Sequence, residues 1–313
     1  MSKSIILTGG FGFIGSSLCE YLNRQGISPY IIEDQENVGE KWKNIMGLRF
    51  ALLDSIYDIN KVDGPISVIH LGANVDTREK MNRQLWQNNL TFTTDLFKVV
   101  QEYQVLDKFI YASSGAVYGG EENEFSERIE GLKPTNAYAA TKLLVDNHFF
   151  GAGKKWESPH VYGLRFFNVY GPREQAKGDM ASLVYKGLTK QKPLYAEGEW
   201  RLFKSYRPDI KDGFQMRDFV AAMDVCKVIY FFLNGNNVES GIYNVGSGIS
   251  TPFKDLITEI DQSIPIEYID IPDNIRSHYQ YYTRADISKL RKAGYNETFM
   301  DIKEGIKWTK ENL

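Results

Sequence analysis

The chain is poor in the residues that would make it a disulfide scaffold, a metal site or a membrane protein. Two cysteines, Cys19 and Cys226, are too few for a disulfide framework, and neither sits in a metal-ligand spacing. The four histidines, His70, His148, His160 and His278, are scattered as well, so no structural metal is expected. Positive charge has no surplus: 37 basic residues face 40 acidic ones, for a net charge of −3. That balance excludes a nucleic-acid binder working by bulk charge, which would concentrate Lys and Arg to neutralise phosphates. Long apolar runs are also missing. The longest, residues 228–233, falls well short of the roughly 18–20 residues a membrane helix needs. The first residues lead into a strand-like segment without the pattern of a signal peptide. A cytoplasmic protein with neither membrane nor nucleic acid as a partner is the expectation.

What is present is a chain of 313 residues, 42% hydrophobic and 25% charged, enough for a large buried core and for about two domains. Its 19 tyrosines and 18 phenylalanines are somewhat many, and some are expected to line a cleft. The first half alternates short β-branched runs with amphipathic stretches. Strands are predicted at Ser4–Thr8, 29–32, 48–53, 66–73, 108–114 and 161–169, with helices at 16–24, 85–103 and 136–150. This rhythm predicts an α/β fold, a Rossmann-type doubly wound parallel sheet with helices on both faces. Past the break at Gly171-Pro172 the rhythm loosens. Residues 179–190, 253–260, 286–293 and Ile302–Glu311 read as helices, and 242–245 and Ile266–Ile269 as strands. Residues 197–213, polar and rich in turn formers, read as a long loop. A smaller α/β domain above the C-terminal edge of the sheet is expected, where open α/β folds bind ligands.

Thr8-Gly9-Gly10-Phe11-Gly12-Phe13-Ile14-Gly15 follows the first predicted strand and opens the first helix. Glycines at 9, 12 and 15 permit a tight turn, close approach to a pyrophosphate, and packing of helix on strand. The helix start adds free N–H groups and partial positive charge. Glu33-Asp34 closes the second strand, where a carboxylate suits the ribose hydroxyls of NAD. Lys41 and Lys43 follow, and could instead serve the 2′-phosphate of NADP. The choice between the two dinucleotides stays open at this point.

Tyr138 and Lys142 stand four apart in a predicted helix and so share a face. A phenol with a pKa near ~10 is a poor base at neutral pH, and a nearby ammonium lowers that value. Tyr138 thereby becomes a candidate proton acceptor and donor. Ser113 and Ser114 end the preceding strand, at the edge where the nicotinamide should lie.

These motifs resemble the extended short-chain dehydrogenase/reductases that act on nucleotide sugars, the NAD-dependent epimerase/dehydratase family. Within it, the similarity to the ADP-heptose 6-epimerases is closer still. It is carried by residues 111–120 (YASSGAVYGG), 163–177 (GLRFFNVYGPREQAK), Met180-Ala181-Ser182, Arg217-Asp218-Phe219-Val220, Tyr243-Asn244-Val245-Gly246 and 279–286. The resemblance covers nearly the whole chain. It implies that bound NADP, or NAD, transiently oxidises C6 of an ADP-heptose and reduces it again on the other face.

By the same resemblance, Ser114, Tyr138 and Lys142 form the hydride-transfer triad, and Lys177 is a second acid/base across the sugar. The implied cofactor contacts are Gly9, Phe11, Gly12, Phe13, Ile14, Gly15, Glu33, Asp34, Lys41, Asp54, Ala73 and Asn89, with Tyr138 and Lys142. Ser114, Asn168, Lys177, Ser182, Arg217 and Tyr279 are the implied contacts to a nucleotide-diphosphate sugar. Arg217 is apt for a diphosphate oxygen pair, although neighbouring Asp218 offers an alternative ion-pair partner. His70 is expected to shape the cofactor site rather than to catalyse. The implied division is a dinucleotide-binding domain of residues 1–169, 218–246 and about 281–293, and a sugar-binding domain of 170–217, 247–280 and about 294–313. Relatives commonly form homo-oligomers, and helices 85–103 and 136–150 are the candidate contacts.

Asn74-Val75-Asp76-Thr77 departs from the pattern, with Asp76 adding a charge near the expected sugar pocket. Competing readings are another nucleotide-sugar epimerase, such as a UDP-hexose 4-epimerase, and a non-catalytic NAD(P)-binding regulator. A 4,6-dehydratase is disfavoured, because Gly115-Ala116 follow Ser114 where an acidic pair would be needed.

Overall fold

A computed structural model describes residues 3–103, 106–120, 125–235, 237–276 and 279–313. His278 lies outside the described residues. The strands are β1 (Ser4–Thr8), β2 (Tyr30–Ile32), β3 (Ala51–Leu53), β4 (Ile66–His70), β5 (Leu106–Ser114), β6 (His160–Phe166), β7 (Asn168–Tyr170), β8 (Tyr195–Ala196), β9 (Glu199–Phe203), β10 (Met216–Ala221), β11 (Gly241–Val245), β12 (Ser250–Pro252) and β13 (Ile266–Ile269). The α-helices are α1 (Phe13–Arg24), α2 (Arg83–Trp86), α3 (Phe92–Tyr103), α4 (Ala137–Phe150), α5 (Leu183–Leu188), α6 (Ala222–Asn234), α7 (Phe253–Asp261), α8 (Asp273–Arg276), α9 (Ser288–Lys292) and α10 (Ile302–Glu311).

Seven parallel strands form the main sheet, in the order β11-β6-β5-β4-β1-β2-β3. Strand alternation sends Ile5 and Leu7 to one face and Ile6 to the other. On the first face they meet Leu18, Cys19 and Leu22 of α1 and Val225, Ile229 and Phe232 of α6. On the second, Leu96, Phe97 and Val100 of α3 and Val145 and Phe149 of α4 close the core. With both faces covered, β4 is buried along its whole length, as its apolar sequence ISVIH requires. From β1 the chain builds outward through β2 and β3, and from β4 it builds the other way. The C-terminal ends of β1 and β4 therefore flank the topological switch point, where a crevice must open.

Two small sheets stand beyond that edge, in the orders β12-β10-β7 and β13-β9-β8. Their core gathers Tyr170, Trp200, Leu202, Phe219, Leu256 and Ile306.

Several predicted elements differ in detail. The segment expected as a long loop, 197–213, contains β9, the central strand of its sheet. Trp200 and Leu202 alternate inward there while Glu199, Arg201 and Phe203 are partly exposed, so the period-two signal lay beneath a polar composition. The single strand expected at 161–169 is two. The chain leaves the main sheet at Phe167, whose N–H donates to Val245 O at 3.0 Å, and β7 then pairs with β10 in a small sheet. Residues 179–190 supply only the six-residue α5, because Gly178 at φ 49° interrupts the preceding turn and Ser182 caps a new start. The helix expected over 85–103 passes through a π-helical turn at Gln87–Thr91.

Candidate active site

The crevice at the switch point is a cavity of about 510 Å³. Gly9, Gly12, Phe13, Ile14 and Gly15 form one wall. Gly9 has φ 69°, and a Cβ there would stand 2.7 Å from Gly72 Cα, two residues past the end of β4. A Cβ at Gly15 would stand 2.1 Å from Gly9 O. Only glycine permits this turn, and what it leaves is a backbone cradle at the start of α1, which no side chain caps. The cradle fits the diphosphate of a dinucleotide. Glu33 and Lys41 face the same cavity. The Phe11 N–H donates to Glu33 Oε2 at 2.8 Å; burial pushes the carboxyl up on balance, opposed by that hydrogen bond and by Lys41. Lys43, the other candidate cation, pairs with Glu40.

Asn136 caps α4 by accepting from Ala139 N at 2.8 Å, which places Tyr138 in the first turn and Lys142 one turn below. Both line the cavity beside Ser114 at the end of β5. The Lys142 ammonium donates to Ala112 O at 2.8 Å and lies 5.9 Å from the Tyr138 ring centroid. Burial pulls Lys142 down to about 8, opposed by Asp146. For Tyr138, burial is the larger influence and pushes the hydroxyl up, while a hydrogen bond with Ser114 brings it down. On balance the phenol is raised, and the lowering expected from Lys142 is not found: the downward influence is the Ser114 hydrogen bond, and burial outweighs it. Ser113 points the other way, its hydroxyl donating to Asp146 at 3.0 Å.

His70 sits in a buried chain of hydrogen bonds. The Thr93 hydroxyl donates to Asn89 O at 2.8 Å, so it receives the Nε2 proton of His70 at 2.8 Å. Nδ1 then accepts from the Thr8 hydroxyl at 2.6 Å. Burial lowers the imidazole to about 3, and it is held neutral. Asn89 continues the chain, donating to Asn74 O and Thr141 Oγ1, both at 2.9 Å.

The far wall comes from the loop after β7 and from β10. Asn168, Lys177, Ser182 and Arg217 line it. Lys177 is ion-paired with Glu174 at 2.8 Å and faces the Phe13 ring at 4.9 Å. Arg217 makes no pair with Asp218. Its guanidinium donates to Met216 O and Gln280 O and lies between the rings of Phe253 and Tyr279, at 5.4 and 5.6 Å. Asp218 instead accepts from the backbone of Ser247, Gly248 and Ala285.

Among the named candidates, Phe11, Asp34, Asp54, Asn89 and Tyr279 do not line the cavity, whereas Ala73 does. Phe11 packs its ring into the core, Asp34 caps the turn Gln35–Asn37, and Asp54 is exposed after β3. Asp76 is engaged by Arg78 at 2.9–3.0 Å, and it is Val75 that meets the cavity. The residue that went unread is Glu174, although its spacing of three from Lys177 was visible.

A dinucleotide cradle, a Ser-Tyr-Lys group at the end of β5 and a second wall bearing Lys177 and Arg217 define an NAD(P)-dependent enzyme. The chain belongs to the NAD dependent epimerase/dehydratase family, matched over residues 5–246. It is 37% identical to an ADP-L-glycero-D-manno-heptose-6-epimerase of Fusobacterium nucleatum, over 97% of this chain and 96% of that protein. The structure of the ADP-L-glycero-D-manno-heptose-6-epimerase of Helicobacter pylori superposes with a TM-score of 0.77 at 25% identity, over 98% of this chain and 94% of that one. A UDP-glucose 4-epimerase of Thermotoga maritima, solved with UDP-glucose, shares the fold with a TM-score of 0.79 at 22% identity, over 99% and 98% of the two chains. No described helix is long and apolar enough to cross a membrane.

Proposed function

We propose that this protein is a nucleotide-sugar epimerase that inverts C6 of ADP-D-glycero-D-manno-heptose to the L-glycero form. The observation that carries the reading is the pair Tyr138 and Lys177, two proton-bearing groups on different walls of the cavity that holds the glycine cradle. The heptose epimerases similar to this chain over nearly its full length support it. Inversion through a carbonyl needs one group to take the hydroxyl proton and another to return a proton when the opposite face is reduced. Bound NADP supplies the hydride chemistry. Tyr138 takes the proton, Ser114 hydrogen-bonds the reacting oxygen, and Lys142 orients the dinucleotide. Lys177 protonates the oxygen after the carbonyl has turned. Arg217, lying between two rings and facing no carboxylate, suits the diphosphate, with Asn168, Ser182 and Tyr279 at its side.

Incubation with ADP-D-glycero-D-manno-heptose, followed at C6 by NMR, tests the reading. Turnover of UDP- or GDP-sugars without C6 inversion overturns it in favour of a 4-epimerase. Tyr138→Phe separates an enzyme from a regulator, since it abolishes turnover while the dinucleotide still binds. Lys41 beside Glu33 favours NADP, and extraction of the bound dinucleotide decides between NADP and NAD. The proposed domains are those set out from the sequence, with β11 returning to the main sheet. A cytoplasmic homo-oligomer joined through α3 and α4 completes the reading, and light scattering reads its size.

A further inference from the structure

Glu174 is fully buried, and its carboxylate has four donors. Oε1 accepts from Gly171 N at 3.2 Å and from Ser182 Oγ at 2.6 Å. Oε2 accepts from Ser182 N at 2.7 Å and from Lys177 Nζ at 2.8 Å. Three of these donors are neutral, so the Lys177 ammonium is the counter-charge in contact with a carboxylate removed from water. An exposed ion pair at this spacing would contribute little, but a buried carboxylate holds its partner strongly. The Phe13 ring faces the same ammonium and confines it from the other side.

The backbone that presents this pair is also fixed. Arg173, in the left-handed region at φ 69°, donates to Asn44 O at 2.8 Å and to Glu20 Oε2 at 2.9 Å. Gln175 donates to Asn44 Oδ1 at 2.6 Å, and Asn44 donates in turn to Phe11 O at 3.1 Å. Two side chains that flank Glu174, those of Arg173 and Gln175, thus bind the loop to the first half of the chain, four and two residues before Lys177.

We infer that Glu174 is the positioning residue of the second acid/base, its carboxylate fixing where the Lys177 ammonium stands. The inference rests on the reading of Lys177 given above. Other ionisable groups near the pair are Tyr185 and Lys186 of α5, and Asp179, which faces Arg78. None of these accepts a hydrogen bond from Lys177.

The test compares wild type, Lys177→Met and Glu174→Gln, which keeps the shape and removes the charge. For Glu174→Gln, C6 inversion should fall about 10²-fold in kcat with KM changed less than about 3-fold. An unchanged kcat, with Lys177→Met inactive, overturns the role of Glu174 alone. Full inversion by Lys177→Met overturns the reading of Lys177 itself. A substrate-independent measurement covers a wild type that does not turn over the heptose. The NMR signal of isotopically dimethylated Lys177, assigned by its loss in Lys177→Met, should shift and narrow in Glu174→Gln at neutral pH, as the ammonium loses its fixed place. An identical signal overturns the inference. Should Glu174→Gln fail to fold, Ser182→Ala removes the one side-chain donor that competes for the carboxylate and leaves the backbone N–H in place; Lys177, held more tightly, should then give a broader signal, and an unchanged or narrower one overturns the inference.

Discussion

The Asp146 carboxylate receives the Arg165 guanidinium at 2.9 Å with both side chains fully removed from solvent. Asp146 lies one turn beyond Lys142 on α4, and it also accepts from the hydroxyls of Tyr111 and Ser113, both at 3.0 Å. Helix α4 is thereby tied to β5 and β6 directly beneath Tyr138 and Lys142. Removing one partner leaves an uncompensated buried charge, so Arg165→Met should destabilise the protein by about 3–5 kcal/mol. Urea unfolding measures this, and a loss below about 1 kcal/mol would contradict it.

His70 makes stability depend on acid. Its folded value of about 3 lies below the ordinary 6.5, so between those pH values the unfolded chain binds a proton that the folded one refuses. Its contribution is present above pH 6.5 and is lost as the pH falls toward 3. His70→Gln should flatten the acid limb of the stability curve relative to wild type. Thermal melts from pH 7 to pH 4 check this, and parallel curves for the two proteins would refute it.

Gly15→Ala would place a methyl group 2.1 Å from Gly9 O, inside the turn that cradles the diphosphate. The backbone must shift, at a cost of about 1–3 kcal/mol. Dinucleotide affinity should fall at least about tenfold, which corresponds to some 1.4 kcal/mol of that displacement. Fluorescence titration with NADPH reads it directly.

Arg217→Lys keeps the charge but loses the planar fork held between Phe253 and Tyr279. The variant should bind the nucleotide sugar about 10–100-fold more weakly, with dinucleotide affinity unchanged. Calorimetry with ADP-heptose and, separately, NADPH distinguishes the two effects.

The first half of the chain was readable because its signals are local. The glycines at 9, 12 and 15 follow β1 directly, and Tyr138 and Lys142 share a helix face whose cap, Asn136, is visible in the sequence. β1, β13 and α10 fall at the predicted bounds. What escaped was non-local. Neither β10 nor α6 was anticipated, and β9 was hidden by flanking polar residues. The buried carboxylates show the same limit. Asp146 and Glu174 look like ordinary surface acids, and only folding brings Arg165, Tyr111 and Ser182 to them. Arg217 was readable by type, but its release from Asp218 depends on loops 29 and 67 residues further along that claim that carboxylate.

The departure of the chain from the main sheet at Phe167 also sets an order of assembly. Residues Gly241–Val245 dock on β6 in parallel register, Ile242 against Gly163, only after the intervening small-sheet strands and α6 have been synthesised. During translation the edge of β6 therefore remains unpaired while that long excursion emerges. Parallel pairing between such distant segments folds slowly and leaves a strand edge open to wrong partners. The ribosome must deliver Val245 before the central sheet can close, so this seam is where a nascent chain would be most dependent on chaperone protection.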